Sequence, residues 1–393
     1  MYHRGHFYIA TAEPNFMLVH PSTAPHLDRS ALPDMTDTQL EVVPLARSET
    51  IPSSWYTDSR VHTLDRHAVF ECTWQYVGHV GQVSKPGSLF TADVGSNPVV
   101  IVRDKAGSLR AFYNVCRHRG GPLATEDCSV NMLQCKYHGW TYQLDGSLRG
   151  VPRFNRTELF DRKDYGLIPV QVACWEGLVF VNLSETQEPL DAVMTGIMER
   201  IAPIQLDTKR FHCRVNYEVH CNWKVYVDNY LEGYHLPYVH PELCNLLDVK
   251  AYTTETFEHY SLQFSPFSGG ENVYQDEGGE AFYYFVFPNF MLNILPGRLQ
   301  TNRVVPLAPD KTLVVFDYYY DDPTAEATQQ VIRDDLAYSE VVQQEDIEIC
   351  EYVQRGLNSR GYDRGRFSVE CEAGVHHFQT LLKKAYRRAL NEE

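Results

Sequence analysis

The sequence is short of positive charge. Its 393 residues include 35 Lys and Arg against 51 Asp and Glu, which gives a formal net charge of −16. An acidic surface repels phosphate backbones and anionic lipid headgroups. We therefore expect neither nucleic acid nor a membrane surface as a partner.

Long apolar runs are also missing. No stretch approaches the ~20 apolar residues that a membrane-spanning helix needs, and no basic segment with an apolar core of the secretory kind opens the sequence. The ten cysteines are dispersed along the chain, whereas disulfide scaffolds are short and rich in cysteine. These absences predict a cytoplasmic protein in which neighbouring Cys and His indicate metal binding before disulfides.

Strand and turn signals divide the chain into four segments. Residues 1–45, rich in Pro, His and Thr, predict a mobile tail, and residues 46–74 predict a helical segment that packs on the C-terminal domain. Short strands with hairpin turns over residues 75–182 predict a small all-β domain. Residues 185–393 predict an α+β domain in which long helices cover an antiparallel sheet.

Two Cys–His pairs lie on loops of the predicted β domain. Cys116 and His118 have the spacing C-x-H, and Cys135 and His138 follow with C-x2-H. Thiolates and imidazoles suit zinc or iron–sulfur clusters, and two Cys with two His on a [2Fe-2S] cluster form the Rieske arrangement. A structural zinc site is the alternative, but the single residue between Cys116 and His118 fits its usual spacings badly.

A carboxylate and two histidines lie near the end of a helix that we predict over residues 223–234. Glu232 and His235 are three residues apart, which places them on one helical face. Pro237 is expected to end this helix, so the chain can turn and bring His240 beside His235. Two His with one carboxylate form the facial triad of non-haem Fe(II) oxygenases, although the H-x4-H spacing alone is equally compatible with ordinary polar turn residues.

Asp346 is the candidate for the third ligand. It lies on a helix predicted over residues 324–357, in the same stripe as the apolar Val342 and Ile349. A carboxylate on a buried stripe is costly unless it is paired or bound to metal, and the alternative is an ordinary surface acid. The acids close to Asp346 on this helix are expected on a solvated face: Glu345, Glu348 and Glu351.

Over about residues 50–380 the chain resembles the alpha subunits of Rieske non-haem iron oxygenases, through the paired loops and the segment from Asn222 to His240. The resemblance implies a Rieske [2Fe-2S] domain over residues 75–182 and a helix-grip-type catalytic domain over residues 185–393. It implies these cluster ligands: Cys116, His118, Cys135 and His138. It implies these ligands of a mononuclear Fe(II): His235, His240 and Asp346.

The acidic residue three positions before the first iron-binding His indicates which branch of the family the chain resembles. In the family it links that His to a cluster His of the neighbouring subunit, and here Glu232 takes its place. The stretch from Asn229 to His235 is one residue shorter than in many ring-hydroxylating members. Together with Pro52 to Tyr56 and Gly374 to Phe378, this form is similar to the branch that contains choline monooxygenase and the carnitine and glycine-betaine oxygenases.

The resemblance implies an enzyme that uses O₂ and electrons from a reductase or ferredoxin to hydroxylate a small substrate, with a quaternary ammonium compound favoured. It also implies a homotrimer, because the two centres of one chain are too far apart. An aromatic-ring dioxygenase and a non-catalytic Rieske electron carrier are the alternatives. Aromatic faces attract a quaternary ammonium ion, and about half of the aromatic residues from Phe282 to Phe290 should point inward along a strand.

Overall fold

The computed structural model describes residues 32–184, 188–248, 250–268, 274 and 279–391. Among them, one compact unit spans residues 71–190, and a second combines residues 32–70 with residues 191–391. In these described ranges, no helix has both the length and the apolar character to cross a membrane.

The first unit is built from short antiparallel strands. They are β1 (Gln75–His79), β2 (Ser88–Val94), β3 (Asn97–Arg103), β4 (Leu109–Tyr113), β5 (Cys128–Ser129), β6 (Leu133–Gln134), β7 (Thr141–Tyr142), β8 (Leu148–Gly150), β9 (Pro169–Trp175) and β10 (Leu178–Asn182). One sheet has the order β1-β10-β9-β4-β3-β2-β5, and a smaller sheet has the order β6-β7-β8.

The hairpin between β3 and β4 shows how the local sequence sets the first unit. Asp104 Oδ1 accepts hydrogen bonds from the backbone N–H groups of Ala106 at 2.9 Å and Ser108 at 2.8 Å. Gly107 has a φ of +86°, which glycine adopts without steric cost. The candidate cluster loops follow, one after β4 and the other between β6 and β7.

The second unit contains an antiparallel sheet with the order β11-β17-β16-β15-β14-β13-β12 in chain numbering. Its strands are β11 (Arg210–Val219), β12 (Thr253–Thr256), β13 (Tyr260–Pro266), β14 (Glu280–Val286), β15 (Phe290–Leu295), β16 (Arg298–Ala308) and β17 (Lys311–Tyr320). One cross-strand row runs through Gln263, Tyr283, Asn293 and Gln300. Side chains of such a row share one face of the sheet.

Helices cover this sheet. The helices of the described chain are α1 (Ser54–Thr57), α2 (Ser59–Leu64), α3 (Leu190–Val193), α4 (Ile197–Ile201), α5 (Trp223–Tyr230), α6 (Leu236–Val239), α7 (Pro241–Leu246), α8 (Gln329–Leu357) and α9 (Ala373–Asn391). Trp55 of α1, Trp223 of α5 and Phe378 of α9 pack in one core with Phe285 and Phe316 of the sheet. This core fixes α5 and α8, the two helices that lead to the candidate iron ligands.

Two predicted helices and one predicted strand run have different bounds. The helix expected over residues 223–234 ends at Tyr230, and the helix expected over residues 324–357 begins at Gln329. A Cβ at Gly233 would lie 2.9 Å from the ring of Tyr252, so only glycine allows this close approach after α5. The aromatic residues from Phe282 to Phe290, expected along one strand, are divided, because β14 ends at Val286 and β15 begins at Phe290.

Residues 1–31 of the expected tail lie outside the described residues. The residues that follow contact the second unit: Leu40 is buried, and its carbonyl accepts a hydrogen bond from Arg387 Nη2 at 2.8 Å. The carbonyl of Val43 accepts one from His376 Nε2 at 2.9 Å. The sequence did not predict these contacts, because an irregular segment has no periodicity even where it packs.

Candidate metal centres

Two loops of matching geometry carry the Cys–His pairs. The carbonyl of Cys116 accepts a hydrogen bond from the N–H of Gly120, and that of Cys135 accepts one from Gly139, both at 3.0 Å. Gly120 and Gly139 each have a φ of +74°, a left-handed conformation that favours glycine. Each loop therefore turns back after its cysteine and presents the side chain that follows two or three residues later.

Four possible ligand side chains meet between these loops. Cys116 and Cys135 are buried, each 2% exposed, and a Cβ at Gly121 of the first loop would lie 2.9 Å from Cys135 Sγ of the second. His118 is partly buried and His138 is exposed, and their ring centroids are 4.6 Å apart. The sulfur ligands thus lie on the inner side and the imidazoles on the outer side.

The aromatic residues behind the cysteines complete this site. The hydroxyl of Tyr142 accepts the backbone N–H of Arg117 at 3.0 Å and lies 3.3 Å from Cys116 Sγ, to which it can donate. Trp140 stacks on His118 with centroids 4.9 Å apart. His118 Nδ1 is buried and has no hydrogen-bond partner among the described residues. A free imidazole nitrogen beside two buried thiols fits a [2Fe-2S] cluster, whose iron takes that lone pair.

A second group of possible ligands converges in the other unit. One ligand atom from each of His235, His240 and Asp346 lies within 4.8 Å of the others. Asp346 Oδ1 is 3.0 Å from His240 Nε2 and 3.9 Å from His235 Nε2. The two imidazole centroids are 5.1 Å apart. Two imidazole nitrogens and a carboxylate oxygen this close together fit a mononuclear iron with open positions.

A short helix brings the two histidines together. His235 precedes α6 and His240 follows it, while Pro237 lies in its first turn. Proline is tolerated there because the first N–H groups of a helix have no intrahelical partner. The expectation that Pro237 ends a helix is therefore wrong, since Pro237 opens α6 after α5 has already ended at Tyr230.

Carboxylates outside the ligand group orient both imidazoles. Glu232 Oε1 accepts a hydrogen bond from His235 Nδ1 at 2.6 Å, and Glu345 Oε2 accepts one from His240 Nδ1 at 2.7 Å. Each His then carries its proton on Nδ1 and directs Nε2 toward Asp346, which is the arrangement that metal-ligating histidines need.

Asn229 holds the carboxylate of the group. Its Nδ2 donates to Asp346 Oδ1 at 2.6 Å.

Burial lowers the pKa of His240, but the hydrogen bonds and charges of Asp346 and Glu345 outweigh this effect and raise the pKa. The same negative charge attracts a metal cation to Nε2 in place of a proton.

The prediction that Glu345 lies on a solvated face is wrong. Glu345 is about one-third exposed and contacts His240. The contact of Asn229 with Asp346 was not predicted from the sequence either. Glu348 is exposed as expected and accepts a hydrogen bond from Tyr352.

An apolar cluster with four tyrosines adjoins the second ligand group. Leu236, which follows His235, packs there with Leu246 and Phe267. The tyrosines are Tyr252, Tyr274, Tyr283 and Tyr338, and we refer to these four as the tyrosine cluster. Tyr338 lies on α8, about two turns before Asp346, and its hydroxyl is buried with no partner among the described residues.

Of the aromatic residues expected to point inward from β14, Tyr283 alone lies in the tyrosine cluster. Phe285 is on the same face but packs on Phe378 of α9, with centroids 5.6 Å apart. Tyr284 alternates to the opposite face and packs on Tyr260. The other three tyrosines come from α8 and from segments between strands, so no single stretch of sequence revealed them.

Two family models match the chain. The Rieske [2Fe-2S] domain matches residues 73–172, and the ring hydroxylating alpha subunit (catalytic domain) matches residues 206–388. The chain is also 39% identical over 356 residues to the chloroplastic choline monooxygenase of Arabidopsis thaliana. The alignment covers 86% of this chain and 83% of that protein. The chain belongs to the Rieske non-haem iron oxygenases.

Other members of the family are also similar to the chain in sequence and structure. This Rieske oxygenase is 31% identical over 355 residues to the carnitine monooxygenase oxygenase subunit of Acinetobacter baumannii, covering 86% of this chain and 95% of that protein. A solved quaternary ammonium Rieske monooxygenase, described for carnitine oxidation by gut microbiota and inter-subunit electron transfer, has a TM-score of 0.80 and 30% identity. It covers 88% of this chain and 99% of that one.

Membership confirms the predictions for the fold, the enzyme class and the cofactors. The Rieske oxygenase has an α+β fold with a Rieske domain and a catalytic domain, and it is an enzyme that uses O₂. Its cofactors are a Rieske [2Fe-2S] cluster and a mononuclear iron. The individual ligands stay predictions that the geometry fits.

Proposed function

We propose that this Rieske oxygenase hydroxylates a quaternary ammonium compound. The observation that carries the proposal is the tyrosine cluster, which packs with Leu236, the residue that follows His235. A trimethylammonium group is a permanent cation without hydrogen-bond donors, so aromatic faces are its natural binding surface. The identity of 39% to a choline monooxygenase and of 31% to a carnitine monooxygenase subunit supports the same substrate class.

For the cluster, we propose that the two cysteines hold one iron and the two histidines the other, with these ligands: Cys116, Cys135, His118 and His138. The inner position of the thiols and the outer position of the imidazoles support this division. We assign residues 75–182 to the Rieske domain. Residues 46–74 and 185–393 are assigned to the catalytic domain. The extents of the two compact units support both assignments.

For the iron, we propose His235, His240 and Asp346 as ligands. The bound iron supplies the activation of O₂. Glu232 and Glu345 hold the Nδ1 protons of the two imidazoles, and the tyrosine cluster surrounds the methyl groups of the substrate and excludes water. Excluding water keeps reactive oxygen species on the substrate.

We propose that Glu232 also connects the iron ligand His235 to a cluster histidine of a neighbouring chain, in a homotrimer. Its short hydrogen bond to His235 Nδ1 supports this role, because a carboxylate can accept a second imidazole N–H. The electrons come from a reductase or ferredoxin. The ten cysteines are dispersed along a long chain, which supports a reducing compartment such as the cytoplasm.

A substrate screen with reconstituted reductase tests the function. We expect O₂ uptake coupled to a hydroxylated or demethylated product with choline or betaine-type compounds, and none with aromatic acids. Tyr283→Leu should raise KM by roughly 3- to 30-fold, the range expected for one lost cation–π contact. Tyr284→Leu, on the opposite face of the same strand, is the matched control. Coupled uptake with aromatic acids alone would reject the proposal.

A further inference from the structure

A buried ion pair borders the tyrosine cluster. Arg298 Nη1 donates to Asp335 Oδ1, and both residues are buried. Asp335 also accepts the hydroxyl of Tyr274 at 2.9 Å on the same oxygen and that of Tyr320 at 2.6 Å on the other. The guanidinium of Arg298 lies 5.4 Å from the ring centroid of Tyr274. Asp335 therefore places its carboxylate directly against the guanidinium.

Asp335 shares α8 with Tyr338 of the tyrosine cluster. It lies about three turns before Asp346 and on the same face, and Arg298 opens β16 opposite Leu295, which belongs to the apolar cluster around the tyrosines. Burial raises the pKa of Tyr283 to about 12, while Arg298 lowers this pKa and Asp335 raises it. The two charges thus act on the Tyr283 hydroxyl in opposite directions.

The other charges that act on the cluster are negative. Burial chiefly raises the pKa of Tyr338, and Glu242 and Glu345 raise it further. Burial and then Tyr283 raise the pKa of Tyr252, with a further contribution from Glu232. With the charge of Arg298 balanced by Asp335, the remaining side-chain charges that raise these tyrosine pKa values come from Glu232, Glu242 and Glu345. Such a site attracts a net cation and repels a carboxylate.

From this arrangement, and resting on the proposed function, we infer that Asp335 determines which quaternary ammonium compounds the enzyme accepts. Because Asp335 pairs with Arg298, the guanidinium is not available to bind a carboxylate of the substrate. The site therefore selects amino alcohols of net positive charge over zwitterions that carry a carboxylate. Arg298 Nε is buried and has no partner among the described residues. Removing the charge of Asp335 therefore releases a guanidinium with donors to spare for a substrate carboxylate.

Equilibrium binding to the anaerobic holoenzyme tests the inference without turnover. Choline and glycine betaine share the trimethylammonium group and differ in an alcohol against a carboxylate. By calorimetry, we expect the wild type to bind choline at least roughly tenfold more tightly, and Asp335→Asn to reduce this ratio by roughly tenfold or more. In Asp335→Asn combined with Arg298→Gln, the gain in betaine binding should disappear because no guanidinium remains.

Asp317→Asn is the matched control. Asp317 is buried and pairs with Arg214 Nε at 2.6 Å, but it alternates to the other face of β17 from Tyr320. This variant should keep the wild-type ratio. A ratio unchanged by Asp335→Asn would overturn the inference. If that variant does not fold, the wild-type measurement still decides, because equal or tighter binding of glycine betaine overturns it. Binding of neither compound would contradict the proposed function itself.

Discussion

Glu345 and Asp346 are adjacent on α8, yet both contact His240. Neighbouring residues on a helix are separated by about 100°, so the periodicity placed Asp346 on the buried stripe and Glu345 on a solvated face. The prediction for Glu345 failed because a glutamate side chain is long enough to reach back across that angle. Periodicity describes where a side chain begins and not where its charged end lies.

Removing the Glu345 carboxylate should weaken the candidate iron site. In Glu345→Ala, His240 loses the partner that fixes its Nδ1 proton, and loss of such a partner typically lowers metal affinity by about 10- to 100-fold. Iron content and chelator titration measure the effect, while the visible spectrum of the cluster should be unchanged. Glu348→Ala, one turn away and bonded to Tyr352, is the control. Equal iron loss in both variants would remove the role of Glu345.

Tyr142 should tune the cluster. A hydroxyl that donates to a cluster sulfur stabilises the reduced, more negative state. Tyr142→Phe removes this donor from Cys116 and should lower the reduction potential. A loss of about 1 kcal/mol corresponds to roughly 40 mV for one electron, at 59 mV per tenfold change.

Potentiometric titration followed by electron paramagnetic resonance measures the potential of the Tyr142→Phe cluster. Tyr165→Phe is the control, because Tyr165 packs on Trp140 and the structure gives it no hydrogen bond to either cysteine within the residues described. An unchanged potential in Tyr142→Phe with full cluster content would contradict the assignment.

At the scale of elements, the turns of the first unit were predictable and the helix ends at the iron site were not. Asp104 and Gly107 specify the β3–β4 turn through contacts within five residues. After the end of α5, by contrast, the chain brings Gly233 against the ring of Tyr252. That contact joins segments nineteen residues apart, so a local pattern could not reveal it.

Helix α5 carries a buried acid that should make stability depend on pH. Asp228 accepts hydrogen bonds from Tyr56 and Gln379. Burial raises the pKa of Asp228 to about 7, with Glu372 also raising it and the Tyr56 and Gln379 hydrogen bonds and Lys224 lowering it. Because the folded state holds this proton more tightly than the unfolded state, stability falls as the pH rises from the unfolded pKa near 4 toward 7.

Asp228→Asn should remove this dependence, since Asn cannot ionise and keeps an acceptor for Tyr56. The stability advantage of the variant over the wild type should grow by about 2 to 3 kcal/mol between pH 5 and pH 8, at 1.36 kcal/mol per pKa unit. Urea unfolding at several pH values measures it. A constant difference across that range would show that Asp228 does not titrate in the folded protein there.

At the scale of the whole molecule, the separation in sequence between the residues of a site decided how much of that site could be predicted. Cys116 and His118, like Cys135 and His138, are near neighbours, so spacing alone indicated the cluster. His240 and Asp346 are 106 residues apart, and the family resemblance was the main indication that they belong to one site. The tyrosine cluster draws on several separate segments, which is why the aromatic run of β14 predicted one member and missed three.

The proposed transfer between chains can be tested by mixing two inactive variants. Cys135→Ala should lack the cluster but keep the iron site, and His240→Ala should lack the iron but keep the cluster. If electrons pass from the cluster of one chain to the iron of the next, mixed oligomers contain interfaces that pair an intact cluster with an intact iron. In a randomly mixed ring of head-to-tail interfaces, about one quarter have that pairing.

Coexpression of the two variants should therefore restore up to about one quarter of the wild-type rate per chain, whereas each variant alone stays inactive. Coupled product formation measures the rate, and mass photometry measures the oligomer, which we expect to be a trimer. The pair Cys135→Ala and Glu232→Gln serves as a second mixture, in which the intact bridge and iron lie on the chain without a cluster, so activity should return there too. Transfer confined to one chain predicts no recovery in either mixture, because no chain then has an intact cluster, bridge and iron together.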